Sequence, residues 1–314
     1  MDSLRSPADR QPLSRRLTLP GLRRLTRLTV VALTAIVATG GAVRLTRSGL
    51  GCDSWPDCGK ADGWHAFVEY GNRLAGVLVG LVVVSALVGV YRLAERRVDL
   101  RWLAWGLIVG FFCQAALGAL SVALKLPPGV VVAHFLLSMV LVAIAAVLHS
   151  RTRPLRQATN ARPEVRWLSV ALLVGTAVVL LLGTLTTGTG PHSGANPTQP
   201  APRFTFLALH VISMVHGNAA ILVVGLAIAN LLVVRITGAD PAVTRSAQLV
   251  VGAVVVQALI GITQYALGLP RGLVEVHMVG AVLLWLAVLG NHLAVRHVAR
   301  PSAPIPQVDV PAHA

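Results

Sequence analysis

Three histidines fall inside otherwise apolar stretches of this chain: His134, His216 and His277. An imidazole in a hydrocarbon setting costs free energy unless a metal or a hydrogen-bonding group engages it. His134 and His277 lie 143 positions apart and close two copies of one segment, QAALGALSVALKLPPGVVVAHF at 114–135 and QALIGITQYALGLPRGLVEVHM at 257–278. Each copy reads as the end of an apolar helix, a short Pro-Gly turn, and the start of a helix that brings in a histidine. His216 and His277, on facing helices of one bundle, have the types and placement of a bis-imidazole haem site. Zinc fits less well, because no Cys or carboxylate is arranged to complete three or four ligands.

The same offset, within one residue, puts Asn72 where His216 stands. An amide is a poor ligand for haem iron, so the first half offers His134 and an open position. Glu69 and Asn72 share a helix face, and Glu69 and Arg73 are spaced to pair. The counterpart of Glu69 is Ser213, so a carboxylate stands only in the half with the open site. Glu69 reads either as an interfacial ion-pair partner or as a carboxylate serving that site. The asymmetry favours an enzyme over a passive cytochrome.

Cys52 and Cys58 are six positions apart in the loop after the first helix, on the side expected to be oxidising. A disulfide follows, either structural or redox-active. Cys113 reads as a small apolar packing residue, and Gln114 as a bond to a neighbouring helix. His210 lies about 120° round the helix from His216 and cannot serve the same iron. His65, His149, His292 and His297 read as structural, with His192 at the outer surface within reach of a propionate or substrate.

The elements that must position these groups are membrane helices. Mean hydropathy is +0.72, and only 12% of residues are charged, which excludes an ordinary soluble domain. Eight apolar runs approach the length of about 20 residues that crosses a bilayer. They lie near 25–45, 70–91, 102–124, 130–149, 167–187, 205–234, 246–267 and 274–295. With the N-terminus inside, 20 of the 27 Lys and Arg fall on the inner side, as the positive-inside rule requires. The net charge of +15 is thus a topology signal with affinity for lipid headgroups, not a nucleic-acid footprint.

The expected architecture is an all-α polytopic membrane protein, N-in and C-in. Its eight helices form two four-helix bundles in parallel internal repeat. The divisions are a cytosolic tail at 1–24, a first unit at 25–150, an inner linker at 151–166, a second unit at 167–295 and a disordered cytosolic tail at 296–314. Asn72 and all three histidines then lie in the outer half of the bilayer. A transporter would instead line a midplane path with polar groups. A di-haem electron-transfer cytochrome would keep all four ligands.

Over residues 25–295 the chain resembles the haem A synthase family. The resemblance rests on GGAVRLTRSGLGC with its Cys pair, EYGNR, GTGPHSG, and His134, His216 and His277. It implies an enzyme of a bacterial plasma membrane that oxidises a ring methyl of haem O to the formyl group of haem A, for cytochrome c oxidase. It also implies a b-type haem held by His216 and His277 in the second unit, and haem O in the first with His134 as axial ligand. Glu69 matches the family's catalytic carboxylate, with Asn72 and Arg73 as neighbours of the substrate. Many members carry His where this chain has Asn72. A haem O synthase and an electron donor are the implied partners; a homo-oligomer is left open.

Overall fold

The computed structural model describes residues 17–52, 54–59, 63–153, 162–192, 194–195 and 201–297. Most of the tails expected at 1–24 and 296–314 lies outside these, as does most of the inner linker. Among the described residues the secondary structure is eight α-helices, with one isolated bridge between Leu17 and Leu93. In chain order they are α1 Leu19–Leu45, α2 Gly63–Tyr91, α3 Val98–Ala123, α4 Pro128–Arg151, α5 Pro163–Thr189, α6 Leu209–Ile236, α7 Pro241–Ala266 and α8 Arg271–His297. Each is long and apolar enough to span a membrane. This is the all-α polytopic membrane protein that composition and run length require.

Proline sets four of the starts. α1, α4, α5 and α7 each carry Pro in the first helical positions, where its fixed φ suits the helix and its missing N–H leaves nothing unpaired. Thr18 caps α1 by accepting from Gly21 N at 3.3 Å, and Asp240 caps α7 by accepting from Ala242 N at 2.7 Å. Such caps satisfy donors that a helix start leaves open.

α1 packs on α2 and α4, which α3 also contacts; α5 packs on α6 and α8, which α7 also contacts. The result is two rings of four helices, joined where α4 meets α5 and α8, and where α1 meets α8. A continuous apolar cluster crosses the join, with Leu107, Met139 and Val142 on one side and Leu180, Val282 and Trp285 on the other. Trp285 donates its indole N–H to Met139 O at 3.1 Å, satisfying a buried polar atom across the seam. Large apolar residues such as Leu78, Ile221 and Leu249 stand exposed on the outside, the surface that lipid covers.

One hydroxyl–histidine bond ties helices within each ring. Thr26 on α1 meets His149 Nδ1 on α4 at 3.0 Å, and Ser169 on α5 meets His292 Nδ1 on α8 at 3.1 Å. Bonds of this kind hold helices together where hydrophobic association contributes little.

The turns before α4 and α8 follow one course. Leu126 N donates to Ser121 O, and Leu269 N donates to Gln264 O, both at 2.7 Å. Each turn places two successive residues at positive φ, Lys125 and Leu126 in one, Gly268 and Leu269 in the other. A side chain in that region costs about 1 kcal/mol more than glycine. The Lys125→Gly variant is therefore expected to raise the thermal unfolding midpoint in detergent by a few degrees, and Gly268→Ala to lower it; the reverse order would contradict this reading of the turns.

Candidate functional site

His216 sits seven residues into α6 and His277 six residues into α8, so both lie about two turns from the start of their helices. Their ring centroids are 6.4 Å apart with planes at 79°. A ring nitrogen about 2 Å from a metal puts its ring centre roughly 3 Å away, so rings flanking one metal stand about 6 Å apart. The observed separation fits a shared iron between them. The rings also have room made for them. A Cβ added at Gly183 on α5 or at Gly261 on α7 would lie 3.0 Å from the Cε1 of His216 or His277 respectively. Both rings are half-buried, in a pocket that Gly183, Thr186, Gln264 and Met278 also line.

The His216 ring is oriented through Nδ1. This atom lies 3.1 Å from Val179 O, and donation to this carbonyl leaves Nε2 with the lone pair a metal takes. Gln257 Nε2 donates to His277 O at 2.8 Å and lies 3.1 Å from His277 Nδ1. A metal at Nε2 requires the proton on Nδ1, so this amide braces the backbone beside the ring and, unlike Val179 O, does not set its tautomer.

The first ring of helices repeats part of this arrangement. Gln114 on α3 donates to His134 O at 2.9 Å and to Ser138 Oγ at 2.6 Å, the bond to a neighbouring helix that its position suggests. Gly118 lies beside the His134 ring, its absent Cβ 3.5 Å from Cε1. The His134 Nδ1 is buried without a hydrogen-bond partner, an imidazole atom that a ligand or water must satisfy. Asn72 accepts from Thr39 Oγ1 at 2.7 Å through its side-chain oxygen. Gly40, the counterpart of Gly183 at the 143 offset, has nothing within 4 Å of its would-be Cβ. No hydrogen bond or ring contact joins His134 to Asn72 or Glu69 among the described residues.

Glu69 is buried, and its carboxylate is tied to the cysteine loop. Oε2 accepts from Cys52 N at 2.9 Å, and Oε1 accepts from Arg73 Nη2 at 2.7 Å. Cys52 and Cys58 are joined in a disulfide. Arg73 Nη1 donates to Ser54 O at 2.8 Å and to Asp57 O at 2.6 Å. The i,i+4 ion pair is thus the hinge pin of a clamp. Arg73 holds the loop by its carbonyls, and Glu69 holds it by a backbone N–H.

His65, His149 and His292 are bound to hydroxyl groups, and His210 is exposed. Cys113 departs from expectation. It is exposed on α3, facing the lipid side rather than packing inside, because α3 turns a broad apolar face outward. Two residues escaped the sequence reading. Arg44 lines the pocket of the second ring, although it belongs to α1. Glu275 on α8 has a buried Oε2 without a partner, beside Gly41 of α1. A lone carboxylate in an apolar run, two positions before a singled-out histidine, was its available signal.

Eight apolar helices of membrane-spanning length, with a paired-imidazole pocket in the second ring of four, define an integral membrane protein with polar groups gathered in its interior. Residues 60–289 match the profile of COX15-CtaA, the cytochrome oxidase assembly protein family. The chain is 25% identical to the haem A synthase of Shewanella oneidensis, over 84% of its own length and 94% of that protein. It is 27% identical to the haem A synthase of Azorhizobium caulinodans, over 81% and 88% of the two chains. A Methylobacterium haem A synthase is 27% identical, over 88% and 91%. The chain belongs to this family, the haem A synthases.

The glycine cradles yield a test. Gly183→Val and Gly261→Val each push a branched side chain into the space of one ring. Titrated with haem b in detergent, both variants are expected to give no low-spin absorption band, while Gly40→Val gives one. An undiminished band in the Gly183 and Gly261 variants would show that the rings are not held as described.

Proposed function

We propose that this chain is a haem A synthase, converting haem O to haem A by oxidising a ring methyl to a formyl group for use in cytochrome c oxidase. The observation that carries the reading is the His216–His277 pair, 6.4 Å apart within a glycine cradle, in a chain of this family. His216 and His277 hold a b-type haem, whose iron supplies one-electron transfer when bound. Haem O, the substrate, occupies the first ring of helices with His134 as its protein ligand. Asn72 is no ligand: its amide oxygen is engaged by Thr39.

Glu69 is the residue assigned to turnover. Both of its oxygens accept hydrogen bonds, the arrangement of an ionised carboxylate. In that state it stabilises positive charge developing at the oxidised carbon, or receives the proton released there. Arg73 and the Cys52–Cys58 loop keep it in place, so their part is positioning.

Successive helices alternate in direction, so the four that carry these groups, α2, α4, α6 and α8, run the same way. Glu69, Asn72, His134, His216 and His277 all fall within about three turns of the starts of α2, α4, α6 and α8. Together with the basic inner loops, this supports an N-in, C-in chain in a bacterial plasma membrane, its sites in the outer half. The matching Gln–His bonds and turns support two units in parallel repeat, 25–150 and 167–295. A haem O synthase and an electron donor are the partners this reading implies.

Co-expression with a haem O synthase, followed by mass analysis of extracted haems, tests the assignment. The wild-type chain is expected to accumulate haem A. Glu69→Ala is expected to keep the b-type spectrum and accumulate haem O instead. A red wild-type protein that makes no haem A would identify a simple cytochrome, and haem A from Glu69→Ala would remove Glu69 from the chemistry.

A further inference from the structure

Arg44 lies in the last turn of α1, in the first ring of helices, yet its side chain lines the pocket of the second. It is the one charged side chain among the residues lining that pocket. It crosses the seam to donate from Nε to His192 O at 2.7 Å and from Nη2 to Thr187 O at 2.9 Å. Among the described residues no carboxylate pairs with it. Carbonyl dipoles satisfy N–H groups but leave the charge of this half-buried guanidinium free to attract an anion. Glu275, the carboxylate that stands beside Gly41 one turn earlier on α1, makes no ion pair with Arg44, so among the described residues the guanidinium is open to an anion entering the pocket.

The position of the charge matches one edge of a tetrapyrrole. The imidazoles of His216 and His277 stand about two turns into their helices, among apolar side chains. Arg44 instead stands where α1 and α5 end, against the carbonyl of Thr187. A tetrapyrrole centred between the two imidazoles has apolar methyl and vinyl edges for the bundle interior. Its propionate carboxylates must reach the polar end. Gln264 lies in the same wall with its Oε1 buried and unpartnered. Turning its amide over would offer an N–H donor to an acceptor in the pocket.

We propose that Arg44 is the carboxylate clamp of the second site, binding a propionate of the haem held between His216 and His277. The proposal rests on the reading of that pair as haem ligands. It adds that the second site is completed by a residue of the first unit. The α5 end cannot supply this cation itself, because the residue at the 143 offset from Arg44 is Thr187, whose carbonyl receives the guanidinium.

The test separates binding of a carboxylate from simple bracing of the α5 end. The full-length protein is stripped of haem in detergent and titrated with haem b and with its dimethyl ester, which lacks both carboxylates. Binding is followed by the low-spin absorption band. The wild-type chain is expected to bind haem b about tenfold or more tightly than the diester, the scale of a charge-assisted hydrogen bond. Arg44→Gln is expected to bring the two affinities within about twofold, by loss of haem b affinity alone, and Arg44→Lys to keep part of the preference. Arg44→Lys also keeps the proposal testable if Arg44→Gln fails to fold, which helical circular dichroism reports. Equal binding of acid and diester by the wild type, or undiminished preference in Arg44→Gln, would overturn the clamp. A wild-type chain that gives no low-spin band with either compound would overturn the histidine pair itself.

Discussion

Inside hydrocarbon, every polar group must be met by the protein itself, and the histidine pair lives under that constraint. Two half-buried imidazoles can stand 6.4 Å apart only if something holds each in place and something makes room for it. Val179 O fixes the Nδ1 edge of His216, and Gln257 braces the backbone beside the His277 ring; Gly183 and Gly261 make the room. The helix packing follows from this, since α5 and α7 must approach α6 and α8 closely where those glycines lie. The Pro-bounded turn before α8 then sets how far into the bundle His277 reaches.

The first ring of helices shows what the same frame does when one part is changed. Asn72 replaces an imidazole by a short amide turned onto Thr39, and the space beside Gly40 stays open. His134 keeps its Gln114 contact but has a buried Nδ1 without a partner. Glu69, with no carboxylate counterpart in the second ring, is clamped by Arg73 and the cysteine loop. One frame thus carries a pair of facing imidazoles in one ring of helices and, in the other, a single such histidine with an amide and a fixed carboxylate on α2. The proposed division into electron transfer and chemistry rests on that contrast.

Much of this was legible in the sequence, for physical reasons. Helix number and type followed from the bilayer thickness, and the repeat offset located His134, His277, Gln114 and Gln257 together. The i,i+4 spacing announced the Glu69–Arg73 pair. What stayed hidden was three-dimensional. No periodicity reveals that Arg44 crosses the seam between the rings, or that the Glu69 carboxylate accepts the N–H of Cys52. The exposed face of Cys113 was also hidden, because an almost uniformly apolar helix carries no pattern that says which side meets lipid. Helix starts were the least certain feature. α2 begins at Gly63, several residues before its apolar run, because polar residues at a bilayer surface remain helical.

The central claim is that the two sites hold different haems for different tasks. Haem extraction and mass analysis of His134→Ala and His277→Ala, each purified from cells making haem O, test it most directly. The account predicts that His134→Ala retains haem b and loses haem O and haem A. It predicts that His277→Ala loses haem b while still retaining haem O. Loss of haem b on replacing His134, with retention on replacing His277, would contradict it.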